Sequence, residues 1–167
     1  MDVWEAYWKF NMINIDIPGW GNMDIENIVF DLNGTIATDG RIPLEVKEKI
    51  NVLSQKAKIY ILTADTQGTA GEETQEMNVE LIKMPEQDSK QEKFKFLKTL
   101  NPERTVAVGN GNNDHLILKE AAFGIAVLGD EGISASAMKH ADIVVKNISD
   151  TLDLFLKPKR LIATLRE

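Results

Sequence analysis

The chain has 167 residues, 43% of them hydrophobic and 27% charged, which suffices for one globular unit with its own core. A net charge of −7 argues against broad nucleic-acid or anionic-membrane binding, and the absence of cysteine excludes disulfides, thiol catalysis and cysteine–zinc sites. Only His115 and His140 are available for a histidine-rich metal site, no apolar stretch approaches the ~20 residues of a membrane span, and no secretory signal opens the chain, so a cytoplasmic protein is expected.

In chain order, residues 1–11 gather Trp4, Tyr7, Trp8 and Phe10. Two readings stay open for this segment. Positions 4, 7 and 8 share a helical face suited to packing or docking; alternatively the segment is an extension and Met12 is the natural start. Residues 12–26 alternate apolar and polar around Pro18-Gly19-Trp20-Gly21, which predicts a β-hairpin leading into a buried strand. Short apolar runs follow at 27–31, 57–62, 79–82, 104–108, 123–128 and 142–145. Helical patterns lie near 43–55, 89–100, 112–121, 131–139 and 149–157, and a docked terminal helix is expected in "KPKRLIATLRE". Ser89 and Glu92 have capping-box spacing, predicting a helix start at 89 or 90. A further helix at 68–77 is weakened by its glycines and clustered glutamates. Strands separated by helix-length segments imply βαβ units: an α/β fold with a parallel sheet covered on both faces. The expected organisation is the extension 1–11 and one domain over 12–167, hairpin first and core from 27.

Ligands of open α/β sheets bind beyond the carboxyl ends of the strands. Three polar clusters follow buried runs: "VFDLNGT", "YILTAD" and "VAVGNGNND". Meeting around one cleft, they offer Asp31, Thr63, Asp65, Asn110, Asn113 and Asp114. Taken singly, each is equally an ordinary helix cap or turn residue. Hard oxygen donors of this kind suit magnesium, which takes one or two carboxylates, water and phosphate. A carboxylate beside it can attack phosphorus, a hydroxyl such as Thr63 can hold a transferring oxygen, and Lys90 or Lys93 can supply an ammonium. His115 reads as a helix-surface residue and His140 as a helix-end residue. Asp39, in "TDG", reads as a turn.

Together these segments resemble the haloacid dehalogenase superfamily, most of all its soluble P-type-ATPase-like branch. "DLNGT" (31–35) is similar to Asp-Lys-Thr-Gly-Thr of the ATPases, "TAD" (63–65) to Thr-Gly-Asp, and "VGNGNND" (108–114) to Thr-Gly-Asp-Gly-x-Asn-Asp. The resemblance spans about residues 27–145. It implies a three-layer Rossmann-like sheet without a large cap and a magnesium-dependent phosphatase or phosphotransferase. It also implies roles: Asp31 as nucleophile and metal ligand, the Asn33 carbonyl as second ligand, Thr63 on a phosphoryl oxygen, and Asp114 in the metal shell. Lys93 is preferred to Lys90 because Leu97 and Leu100 follow at the family's helical offsets.

Two departures matter. Asn33 replaces the acid–base aspartate of typical phosphatases in the superfamily, which implies slow turnover and a longer-lived aspartyl-phosphate; positioned acid–base help is worth about 10²–10⁴-fold. Asn110 replaces a second metal-associated aspartate, so magnesium should bind more weakly. These departures also support an alternative: a regulatory or binding domain that holds magnesium and phosphate without appreciable turnover. Only residues 36–62 separate Thr35 from Thr63, leaving no room for a nucleotide-binding domain or a large cap. An uncapped site implies an open pocket, a macromolecular substrate, or a neighbouring subunit of a homo-oligomer acting as lid. The substrate is a phosphorylated compound whose identity the sequence leaves open.

Overall fold

A computed structural model of the chain describes residues 12–167; the aromatic segment 1–11, with its two readings, lies outside the described residues. Strands β1 (Ile13–Ile17) and β2 (Gly21–Ile25) form an antiparallel hairpin with Ile13 opposite Ile25. Its alternation is the cause of its placement: Ile13, Ile15 and Ile17 are buried while Asn14 and Asp16 face water. The turn needs positive φ at Gly19 (81°), and the Trp20 amide closes it on the Ile17 carbonyl.

The main sheet has six parallel strands: β3 (Asn27–Asp31), β4 (Lys58–Thr63), β5 (Glu80–Lys83), β6 (Thr105–Gly109), β7 (Phe123–Val127) and β8 (Ile143–Val145). Their spatial order is β5-β4-β3-β6-β7-β8. Every residue of β3, β6 and β7 is buried, as a sheet covered on both faces requires.

The two faces carry different side chains. Ile28, Phe30, Val106, Val108, Ile125 and Val127 join the larger core with α1 (Leu44–Leu53), α6 (Ile148–Leu156), α7 (Pro158–Leu165) and the hairpin. On the other face Ala107 and Ala126 meet Leu97, Ile117, Leu118 and Ala137 of α3 (Ser89–Thr99), α4 (His115–Glu120) and α5 (Ala135–His140). Small side chains let this layer approach closely. A Cβ on Gly124 would run into the Leu118 carbonyl. The fold is therefore the expected three-layer α/β arrangement preceded by a hairpin.

Two local expectations are corrected. The helix predicted at 68–77 shrinks to one turn, α2 (Ala70–Glu73), because the Asp65-Gly68 turn occupies its front and a further turn closes it behind. The Ser89/Glu92 capping box does not form, although α3 does start at Ser89. Instead Asp88, in the left-handed region at φ 59°, offers its carbonyl to the Gln91 and Glu92 amides. The Ser89 hydroxyl accepts from the Asn113 amide at 3.1 Å.

Candidate active site

The chain leaves β3 for β4 and β5 on one side, then returns to place β6 on the other side of β3. That reversal opens a crevice at the carboxyl ends of β3 and β6, where α/β sheets bind ligands. Asp31 ends β3, and Gly109 ends β6.

Lys93 crosses this crevice from α3. It shares a buried helix face with Leu97, one turn on, so the packing that seats Leu97 also points Lys93 inward. Its Nζ donates to Asp31 Oδ1 and to Asp114 Oδ1, each at 2.7 Å. The ammonium is 2% exposed and Asp114 is fully buried, so these are desolvated ion pairs rather than surface contacts. Burial works to lower the Lys93 ammonium, but the two carboxylates outweigh it and hold its pKa above the ordinary lysine range. For Asp31 burial wins: burial first, then the Asp114 charge, pushes its carboxyl up to about 7 against the pull of Lys93 and Thr35.

Asp114 is fixed by its own loop. Its Oδ2 accepts the amides of Asn110 (3.0 Å) and Gly111 (2.9 Å) while Oδ1 keeps Lys93. Gly109 makes room for it, since a Cβ there would lie 2.5 Å from Asp114 Cγ.

The loops after β3 and β6 are stitched by Thr35, which donates to Asn110 Oδ1 at 3.0 Å and approaches Asp31 Oδ2 at 3.4 Å. Asn110 Nδ2 donates to the Gly132 carbonyl at 3.2 Å. Gly34, at φ 78°, passes so close to the Asn110 amide that no side chain fits there. Asn33 is half-buried, with its amide 3.5 Å from Thr66 Oγ1. Thr63 is buried at the end of β4, and its hydroxyl accepts the Asp65 amide at 2.8 Å. The Thr63 proton is thus left for another acceptor.

Asp31, Lys93, Asp114, Thr35 and Asn110 form one bonded cluster. Other residues singled out from the sequence lie outside this cluster. Asp65, at φ 54°, accepts the Ala70 amide at 2.9 Å and pairs with Lys83 at 3.3 Å, a cap for α2. Asn113 turns to Ser89, and Lys90 lines a surface pocket with Asn112 and His115. Asp39 sits in a tight turn at φ 51°, and its amide donates to Glu131. Behind that turn, buried Glu73 accepts the Ile42 amide at 2.8 Å and pairs with Arg41 and Lys47. Thr35 belongs to the cluster although the sequence marks it only as the end of the "DLNGT" motif; its signal there is a hydroxyl four residues past Asp31, behind a glycine turn.

The donor set suits magnesium. Two buried carboxylates share one ammonium, leaving a net negative charge that a second cation would balance. Among the described residues no three His, Cys, Asp or Glu side chains converge as a metal cage. An ion here would therefore use the Asp31 and Asp114 carboxylates with a neutral oxygen such as the Asn33 carbonyl, the mixed hard-oxygen shell magnesium accepts.

No family model matches the chain. MJ0073, an uncharacterized protein of Methanocaldococcus jannaschii, is 49% identical over 79 residues, 45% of this chain and 85% of that protein. The chain belongs to the family of MJ0073. Its fold is that of the haloacid dehalogenase superfamily: 3-deoxy-D-manno-octulosonate 8-phosphate phosphatase of Moraxella catarrhalis, solved with magnesium, phosphate and a KDO molecule, superposes with a TM-score of 0.67. The shared region is 18% identical and covers 85% of this chain and 94% of that one. A soluble P-type ATPase-like phosphatase of M. jannaschii is 27% identical over 143 residues, 83% of this chain. The chain spans about half of that phosphatase's length (52%). Among the described residues no helix is long and apolar enough to cross a membrane.

Proposed function

We propose that the chain is a magnesium-dependent phosphohydrolase or phosphotransferase that works through a phosphorylated Asp31. The observation that carries this reading is the buried Lys93 ammonium bridging Asp31 and Asp114 at 2.7 Å each, at the strand-order reversal. Lys93 holds Oδ1 of Asp31, which leaves Oδ2 to attack phosphorus. An Oδ2–P bond forms as the bond from phosphorus to the leaving oxygen breaks. Lys93 has a third N–H beyond the two it spends on carboxylates, and the Thr63 hydroxyl retains its proton; both would hold phosphoryl oxygens. Magnesium, held by Asp31, Asp114 and the Asn33 carbonyl, would neutralise charge on those oxygens. Water then attacks phosphorus, the Oδ2–P bond breaks and phosphate leaves.

By the resemblance Asn33 takes the position of an acid–base group. Such a group would give a proton to the leaving oxygen in the first step and take one from the attacking water in the second; an amide does neither at neutral pH. The leaving oxygen takes its proton from solvent and the attacking water gives its proton to solvent, so both steps are slow. A second reading, a domain that binds magnesium and phosphate with negligible turnover, is favoured by Asn110, whose amide is engaged by Thr35 and Gly132.

A panel of phosphate esters assayed with magnesium separates the two. The enzymatic reading requires turnover that chelator abolishes and Asp31→Asn removes. Rates indifferent to either treatment contradict it. Magnesium and phosphate-analogue binding with no hydrolysis of any ester supports the second reading.

A further inference from the structure

The chain's two histidines come from different helices and meet. His115 opens α4, His140 closes α5, and their ring centroids lie 5.1 Å apart with the planes tilted by 45°. Each ring is pinned in the same way: His115 Nδ1 is 2.7 Å from the Asn112 carbonyl, and His140 Nδ1 is 2.8 Å from the Ser136 carbonyl. A carbonyl only accepts, so Nδ1 carries the proton on both rings. The lone pair of each neutral imidazole is therefore on Nε2. An Nδ1–H held by a backbone carbonyl is the support that metal-ligating histidines use to fix tautomer and ring orientation.

The spacing agrees with shared coordination. With metal–nitrogen distances of about 2.0–2.1 Å and tetrahedral angles, two imidazoles on one zinc ion have centroids about 5 Å apart. We infer that His115 and His140 form a second metal site, for a borderline cation of the zinc class, distinct from the hard-oxygen site at Asp31 and Asp114. Imidazole nitrogen selects zinc, nickel or copper over magnesium, so the two sites take different metals. Among the described residues no third His, Cys, Asp or Glu completes a cage. The remaining positions fall to water in the adjoining surface pocket of about 470 Å³, lined by Asp88, Asn112, His115 and Ser136. Because His115 directly follows Asp114, an ion on the pair fastens the start of α4 to the end of α5 just behind the catalytic loop. The inference does not depend on the phosphoryl-transfer reading, and its readout is binding.

The test is a zinc titration of the untagged full chain in excess magnesium, followed by calorimetry and by NMR of the imidazole nitrogens. The expected result is one zinc per chain, with the signals of both histidines moving together. His140→Gln and His115→Gln should each weaken binding at least about tenfold, while Asp31→Asn leaves it unchanged. Circular dichroism of the variants confirms that lost binding is not lost folding. Unmoved imidazole signals under excess zinc, or wild-type affinity in folded His140→Gln, would overturn the assignment.

Discussion

Lys93 and Asp31, 62 residues apart in sequence, meet at 2.7 Å in the interior, and the same ammonium reaches Asp114. Replacing Lys93 with Met leaves two buried carboxylates facing one another without a cation. Breaking a buried pair in this way costs about 3–5 kcal/mol. Urea denaturation of Lys93→Met without magnesium should show a loss of that order, partly restored by magnesium, together with loss of turnover. A variant as stable as the wild type would mean that the ammonium is not what balances the two acids.

Asn33→Asp supplies the acid–base group that the loop after β3 lacks, a carboxylate able to take the proton of the water that attacks the phosphorylated Asp31. Single-turnover measurements should show dephosphorylation of Asp31 accelerated by at least about tenfold, the lower edge of what positioned acid–base groups provide. Unchanged kinetics would remove the missing acid–base group as the explanation for slow turnover.

Asn110→Asp adds a carboxylate to a cluster that already carries excess negative charge. Thr35 can still donate to the new side chain, but the amide bond to the Gly132 carbonyl is lost. Magnesium affinity by calorimetry should rise, while melting temperature without magnesium should fall. The rise in affinity comes from the added charge, and the fall in melting temperature from that charge together with the lost Gly132 bond, so an unchanged magnesium affinity contradicts the account.

The Asp31 carboxyl, pushed up to about 7 from 3.8, sets a pH dependence. A folded-state pKa above the unfolded value contributes stability that is complete below the unfolded pKa and lost as pH rises through the folded one. Without magnesium, melting temperature should therefore fall between about pH 4 and pH 8 through this group. Magnesium competes with the proton, so the melting-temperature gain it confers should grow over the same interval. Asp31→Asn should flatten both trends. A persistent slope in that variant would assign the titration elsewhere.

Much of this arrangement can be read from the sequence, because it follows from periodicity. The apolar runs at 27–31, 104–108 and 123–128 become β3, β6 and β7, since fully buried parallel strands tolerate few polar residues. Lys93, preferred to Lys90 on its offset from Leu97, lies on the inward face of α3, whereas Lys90 opens onto a surface pocket.

What escapes the sequence is local competition for polar partners. Asp65 follows a buried strand as Asp31 does, yet its left-handed backbone turns its carboxylate onto the Ala70 amide. Ser89 has the spacing of a cap but is drawn to Asn113, and Asp88 opens the helix with its carbonyl. The Thr35–Asn110 bond and the His115–His140 pair join positions on separate elements. No spacing rule within one element could reveal them.

The central claim is a covalent bond on Asp31. Incubating the chain with magnesium and a small phosphoryl donor, quenching in acid and mapping the peptides tests it most directly. The account expects a hydroxylamine-labile phosphoryl group on Asp31, absent in Asp31→Asn and longer-lived in the wild type than in Asn33→Asp. Turnover with no label on Asp31, or label retained in the Asp31→Asn protein, would contradict it.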